Sequence, residues 1–186
     1  MESGIPYYVN RTSRNISSET IYSSNYYYST IRAFLRGEYQ SGDTQERTYE
    51  GKGFLQIAFT ETEREKIWEI TLLKENDFLN SDYGFNSDGK AQERNRSFGG
   101  TAWARSKGLK EYASDPNHYT YWDGMNYAWT QPNGSNSALN ILGPNGSFGK
   151  TYYNSSGSSF SYYSEYVDVT NIGILPAITV YGNAAY

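Results

Sequence analysis

Residues 66–74 read Lys-Ile-Trp-Glu-Ile-Thr-Leu-Leu-Lys. Trp68, Ile70 and Leu72 share one parity, and Glu69 and Thr71 share the other. A period of two marks a strand with one face packed and one face wet. Just upstream, in residues 48–60, Leu55, Ile57 and Phe59 alternate with Gln56 and Ala58. Together the two runs predict an antiparallel hairpin, joined by the charged segment 61–66, at the centre of a β core.

The neighbouring segments extend the same pattern. Residues 20–36 carry Tyr27, Ile31, Ala33 and Leu35 on one parity and read as a further long strand. Residues 118–130 place Asp123-Gly124 between two aromatic runs, the form of a two-residue hairpin. Pro132-Asn133-Gly134-Ser135 recurs as Pro144-Asn145-Gly146-Ser147. Each is a turn; residues 139–142 form the strand between them, and 148–153 its return. Residues 172–181 end the chain with an apolar strand, which Pro176 demotes to an edge or a bulge. The one helical candidate is 101–113, with Thr101 as its cap and Asp115-Pro116 as its stop. About eight to ten short strands with frequent turn signals predict an all-β fold, an antiparallel β-sandwich or jelly roll. One domain spans 1–186. It opens with a polar segment, 1–19, that has one apolar stretch from Ile5 to Val9, and a long loop with the short helix is inserted at 76–116.

The composition narrows the function. The chain has 186 residues, 16 basic and 20 acidic side chains, and a net charge of −4. It holds twenty Tyr and eight Phe against nine Leu and four Val. Tyr therefore stands in for missing aliphatic residues and brings a polar tip with each ring. There are no cysteines. That excludes disulfides, thiolate metal sites and a Cys nucleophile, and favours synthesis in a reducing compartment. The acidic balance argues against a nucleic-acid binder. Arg94, Arg96, Arg105, Lys107 and Lys110 fall close together and read as a solvated face. No apolar run approaches the roughly 18 residues of a membrane span, and the first fifteen residues lack the apolar centre of a signal peptide. Six Asn-x-Ser/Thr sequons, at Asn10, Asn15, Asn95, Asn133, Asn145 and Asn154, reflect the Asn- and Ser-rich composition.

No catalytic constellation stands out. His118 is the only histidine, and no Gly-x-Ser-x-Gly elbow accompanies it. One His and no Cys leave zinc without ligands. The stretch from Asp82 to Gly89 resembles part of a calcium loop, but Gly84 and Asn95 would occupy the two end positions that require acids. Asp115, Asp123, Glu165 and Asp168 are the candidate acids of a glycoside hydrolase, the least favoured reading. No metal or cofactor is expected.

The 118–130 hairpin offers a binding surface. Its alternation puts His118, Thr120, Trp122, Met125, Tyr127 and Trp129 on one side. Flat aromatic rings stack on the C–H faces of sugars, so Trp122, Tyr127 and Trp129, with Asn126 and Asp123 nearby, are candidate glycan or host contacts. The competing reading makes this face the core of a sheet. Tyr26, Tyr27 and Tyr28, and further along Tyr152, Tyr153, Tyr162 and Tyr163, are candidate interface residues, since interfaces are enriched in Tyr.

Short strands, abundant Tyr, Asn, Ser and Gly, no Cys and one His together resemble bacteriophage virion proteins. The opening Met1-Glu2-Ser3-Gly4-Ile5-Pro6-Tyr7-Tyr8 is similar to the starts of small β-rich siphophage tail proteins. The resemblance implies a non-enzymatic structural protein of the tail tip, fibre or baseplate. Its expected partners are other copies of itself, other tail proteins and a host-surface glycan or protein, with no membrane insertion. The expected location is the virion, or alternatively the extracellular space or cell surface. The alternative function is a lectin-like carbohydrate-binding module.

Overall fold

Ser29 and Gly37 decide the first long element. The computed structural model describes residues 4–7, 14–16, 19–21, 25–39, 48–74, 76–85, 97–109, 125, 128–131, 139–142, 148–151 and 170–182. Within them Thr30–Arg36 is an α-helix, α1, not the strand expected over 20–36. Ser29 caps it: its hydroxyl accepts from Arg32 N–H at 3.1 Å. Gly37 ends it in the left-handed conformation, with φ +67°. Ile31, Phe34 and Leu35 stand at helical spacing and are all buried. Ile31, Ala33 and Leu35 also satisfy a period of two, so apolar spacing alone left helix and strand open and the caps settle it.

The second expected strand is corrected in the same way. Phe54–Ala58 is a short helix, α2, entered at Gly53. Phe54, Leu55 and Phe59 pack against the core, whereas Ile57 is 63% exposed. The charged connection folds as a further helical turn, α3, Glu61–Arg64. Thr60 and Glu63 close a capping box, in which the Glu63 carboxylate accepts from Thr60 N–H at 2.8 Å. The Thr60 backbone and hydroxyl hold the Glu63 carboxyl below its usual range. The fourth helix, α4, is Ala102–Ser106, inside the 101–113 expectation. Thr101 caps it as expected, accepting from Ala104 N–H at 3.1 Å. It stops at Lys107, well before Pro116.

The all-β sandwich or jelly roll is therefore not the fold. The described residues mix four α-helices with small antiparallel sheets. The strands are β1 (Arg14–Ile16), β2 (Glu19–Ile21), β3 (Ile67–Leu72), β4 (Ala128–Trp129), β5 (Leu139–Leu142), β6 (Phe148–Thr151) and β7 (Pro176–Val180). β1 pairs with β2, β3 with β7, and β4, β5 and β6 make a three-stranded sheet in that order. The expected return of the chain against 139–142 is present over Phe148–Thr151, with Leu142 opposite Phe148 and Leu139 opposite Thr151. β3 is where the alternation of 66–74 placed it, but its partner is β7, not the 48–60 run, which is helical. Pro176 takes the first position of β7, where a missing N–H costs the ladder least.

One core joins these pieces. Tyr7, Ile31, Phe34, Leu35, Ile70, Leu72 and Trp129 meet in it, with Ile141, Ile172 and Ile174. Tyr7 belongs to the apolar opening, Ile5 to Val9, of the otherwise polar 1–19 segment, and its carbonyl accepts from Thr30 N–H at 3.0 Å, which fixes the start of α1. The chain stitches its sheets through residues 128–131: Trp129 N–H donates to Gly173 O and Gln131 N–H to Leu73 O, both at 2.9 Å. A smaller core of Phe78, Ala128 and Leu142 lies beside it.

Candidate functional site

The polar face of β3 becomes the floor of a groove. Ile70 and Leu72 point into the core, so Glu69 and Thr71 point away from it. Register sets Thr179 of β7 opposite Glu69 and Ala177 opposite Thr71. Residues directly opposite share a face, so these four side chains pave one surface. Tyr26 and Tyr27 of the Tyr26–Tyr28 turn and Arg32 and Arg36 of α1 line this groove, together with Lys74, Asp77, Tyr83, Phe85 and Gln131. The open cleft they line has a volume of about 900 Å³.

The tyrosine run divides by depth. Tyr26–Tyr28 is a single 3₁₀ turn capped by Asn25, whose Oδ1 accepts from Tyr27 N–H at 3.0 Å. Tyr26 and Tyr28 lean on the core, while Tyr27 is 62% exposed. The Tyr27 ring is held on two sides. Tyr28 packs edge-on with ring centroids 4.9 Å apart, and the Arg32 guanidinium lies 4.7 Å from the ring centroid. Glu38 anchors Arg32 in turn: one carboxylate oxygen lies 3.0 Å from Arg32 and the other 2.6 Å from Arg36. Tyr83 presents a second ring to the cleft, 58% exposed, from a 3₁₀ turn that Asn80 caps.

Tyr26 closes the inner end. Its hydroxyl lies 3.0 Å from the Thr71 hydroxyl, which lies 3.2 Å from Gln131 Oε1. Thr71 has one proton and shares it between two acceptors, the Tyr26 oxygen and Gln131 Oε1. Burial pushes the Tyr26 phenol above its ordinary value, against the smaller opposing effect of its bonds to Thr71 and the Leu72 backbone. The folded state therefore holds this proton more tightly than the unfolded chain. Stability from Tyr26 is intact below about pH 10 and is lost as pH rises through the higher folded value. Thermal melts of the wild type should fall more steeply above pH 10 than those of Tyr26→Phe. Parallel curves for the two proteins would show that Tyr26 ionises as freely folded as unfolded.

Of the residues expected to bind glycan on the 118–130 hairpin, Trp129 alone lies among the described residues. Trp129 is a core residue, 1% exposed, packed at a tilt against Tyr7 with ring centroids 5.6 Å apart, so its ring offers no face to a ligand. Trp122, Asp123, Asn126 and Tyr127 lie outside the described residues, as do Tyr152, Tyr153, Tyr162 and Tyr163. Of the basic cluster, Arg105 donates to Gly100 O at 2.7 Å and Lys107 lies 5.6 Å from the Trp103 ring centroid. Sequence reasoning did not connect Arg32, Tyr83 or Gln131 with any site. The outward parity of Glu69 and Thr71 was the one legible sign of the groove floor.

Among the described residues no three His, Asp or Glu side chains converge as metal ligands would, and no helix is long and apolar enough to cross a membrane. Comparison of the chain with known protein families, with characterised proteins and with solved structures finds no match.

Proposed function

We propose that this chain is a non-enzymatic component of a bacteriophage virion, at the tail tip, fibre or baseplate, and that it works by contact. The observation that supports this is its display of aromatic rings. Tyr27, Tyr83 and Trp103 are each more than half exposed, although aliphatic residues are scarce and the core itself needs Tyr7 and Trp129. Rings cost little side-chain entropy to immobilise and bring large, partly polar contact area, which is why interfaces favour them. A further apolar display lies at the end of the β3–β7 sheet. A bulge shifts register between Ile67 and Glu69, and Trp68 is left 64% exposed, edge-on to Tyr181 at 5.2 Å. The similarity of residues 1–8 to tail-protein starts supports the virion reading.

The test is composition. Particles purified from cells carrying the gene should contain the chain at a fixed ratio to tail proteins, measured by quantitative mass spectrometry. Intact particles without it would overturn the reading.

A further inference from the structure

We infer that the groove between the Tyr26–Tyr28 turn and the outer face of β3–β7 binds a neutral oligosaccharide. The inference rests on the contact role proposed above and names the ligand class of that contact. Three observations converge on it.

The first is ring placement. Tyr27 and Tyr83 both line one cleft, and both are well exposed. Tyr27 is fixed by Tyr28 and Arg32, so stacking against it needs little further ordering. Pyranose rings present C–H faces that pack on such surfaces.

The second is the floor. Glu69, Thr71 and Thr179, with Gln131, set short hydrogen-bonding groups around an apolar patch at Ala177. Hydroxyl-rich ligands need donors and acceptors close together, and both are present here. The floor is the face of a sheet. An extended peptide would instead seek an open strand edge and its backbone groups. This favours a saccharide over a polypeptide.

The third is charge. Arg32, Arg36 and Lys74 line the cleft, and Glu69, Asp77 and the Glu38 carboxylate that bridges the two arginines balance them. A balanced site gives no net attraction to a sulfated, sialylated or phosphorylated ligand. The cleft volume, about 900 Å³, also falls within the usual size range of small-ligand sites.

The full chain should be titrated with maltohexaose, cellohexaose, mannohexaose and chitohexaose. Sialyllactose and a heparin hexasaccharide serve as charged probes, and an unstructured peptide library as the polypeptide probe. Saturable binding of at least one neutral hexasaccharide is expected. Tyr27→Ala and Tyr83→Ala should each weaken it about tenfold, which is the scale of one aromatic contact. Tyr27→Phe should keep it, and Ile57→Ala, exposed and outside the groove, should leave it unchanged. Both tyrosines are exposed, and circular dichroism checks that each variant keeps the wild-type fold. No binding of any neutral sugar, tighter binding of the charged probes or peptides, or binding untouched by both alanine variants would overturn the inference. Particle composition separates the two failures. A chain present in virions with no sugar affinity sinks the ligand class alone, and a sugar-binding chain absent from virions sinks the virion role alone.

Discussion

Replacing Trp129 with Ala should remove a large share of the fold's stability instead of merely removing a surface ring. Trp129 is 1% exposed, and its indole meets Tyr7 at 5.6 Å with the planes tilted by 56°. Truncating a buried Trp to Ala costs about 3–5 kcal/mol, against a total stability of about 5–15 kcal/mol for a typical domain. The loss is aggravated by position. β4 is two residues long, and its backbone ties Trp129 to Gly173 while Gln131 ties on to Leu73. Loosening the ring loosens the seam between the sheets. Trp129→Phe should be far milder. The indole Nε1 is buried without a hydrogen-bond partner among the described residues, so removing it sacrifices no bond. Urea melts of the three proteins measure this. A wild-type midpoint for Trp129→Ala would return the ring to the surface and revive the 118–130 hairpin as a glycan face.

Gly53→Ala should be comparably damaging, for a steric reason. α1 leaves through Gly37 and α2 enters through Gly53, and the two backbones touch. A methyl at Gly53 would overlap Gly37 Cα and lie 2.5 Å from the Phe34 carbonyl oxygen. Overpacking costs about 1–3 kcal/mol where side chains can yield, and here backbone meets backbone, so the upper end or beyond is expected. Gly37→Ala would add left-handed strain of roughly 1–2 kcal/mol and collide with the Gln56 side chain, whose amide donates to Arg36 O at 3.3 Å. Gly99→Ala is the control: nothing among the described residues lies within 4 Å of its added methyl, and its change should stay within about 0.5 kcal/mol. A Gly53→Ala melt that overlays the wild type would mean the two helices do not abut.

The contrast between β3 and α1 explains how far the chain could be read. In 66–74 the alternation is strict and no helix cap brackets it, so the strand and its wet face were legible, including Glu69 and Thr71 of the groove floor. Only the bulge that turned Trp68 outward was not. In 20–36 the apolar residues satisfied both periods. The deciding residues were Ser29 and Gly37, which read as ordinary polar and turn residues until the cap hydrogen bonds give them roles. The same holds for Thr60 and Glu63 before β3. The groove was less legible still, since Tyr27, Arg32, Tyr83 and Gln131 come from segments far apart in sequence.

By itself the sequence determined the local elements with strict patterning or strong turn chemistry: β3, the Thr101-capped helix, the pairing of β5 with β6, and a shortage of aliphatic residues that left Tyr and Trp to share the core. The tertiary structure alone decided which strand joins β3, which aromatic rings are buried, and which of them line a common cleft. Backbone preference and alternation act over a few residues. Strand partnership and burial depend on the area that distant segments remove from water together, and no local stretch encodes that.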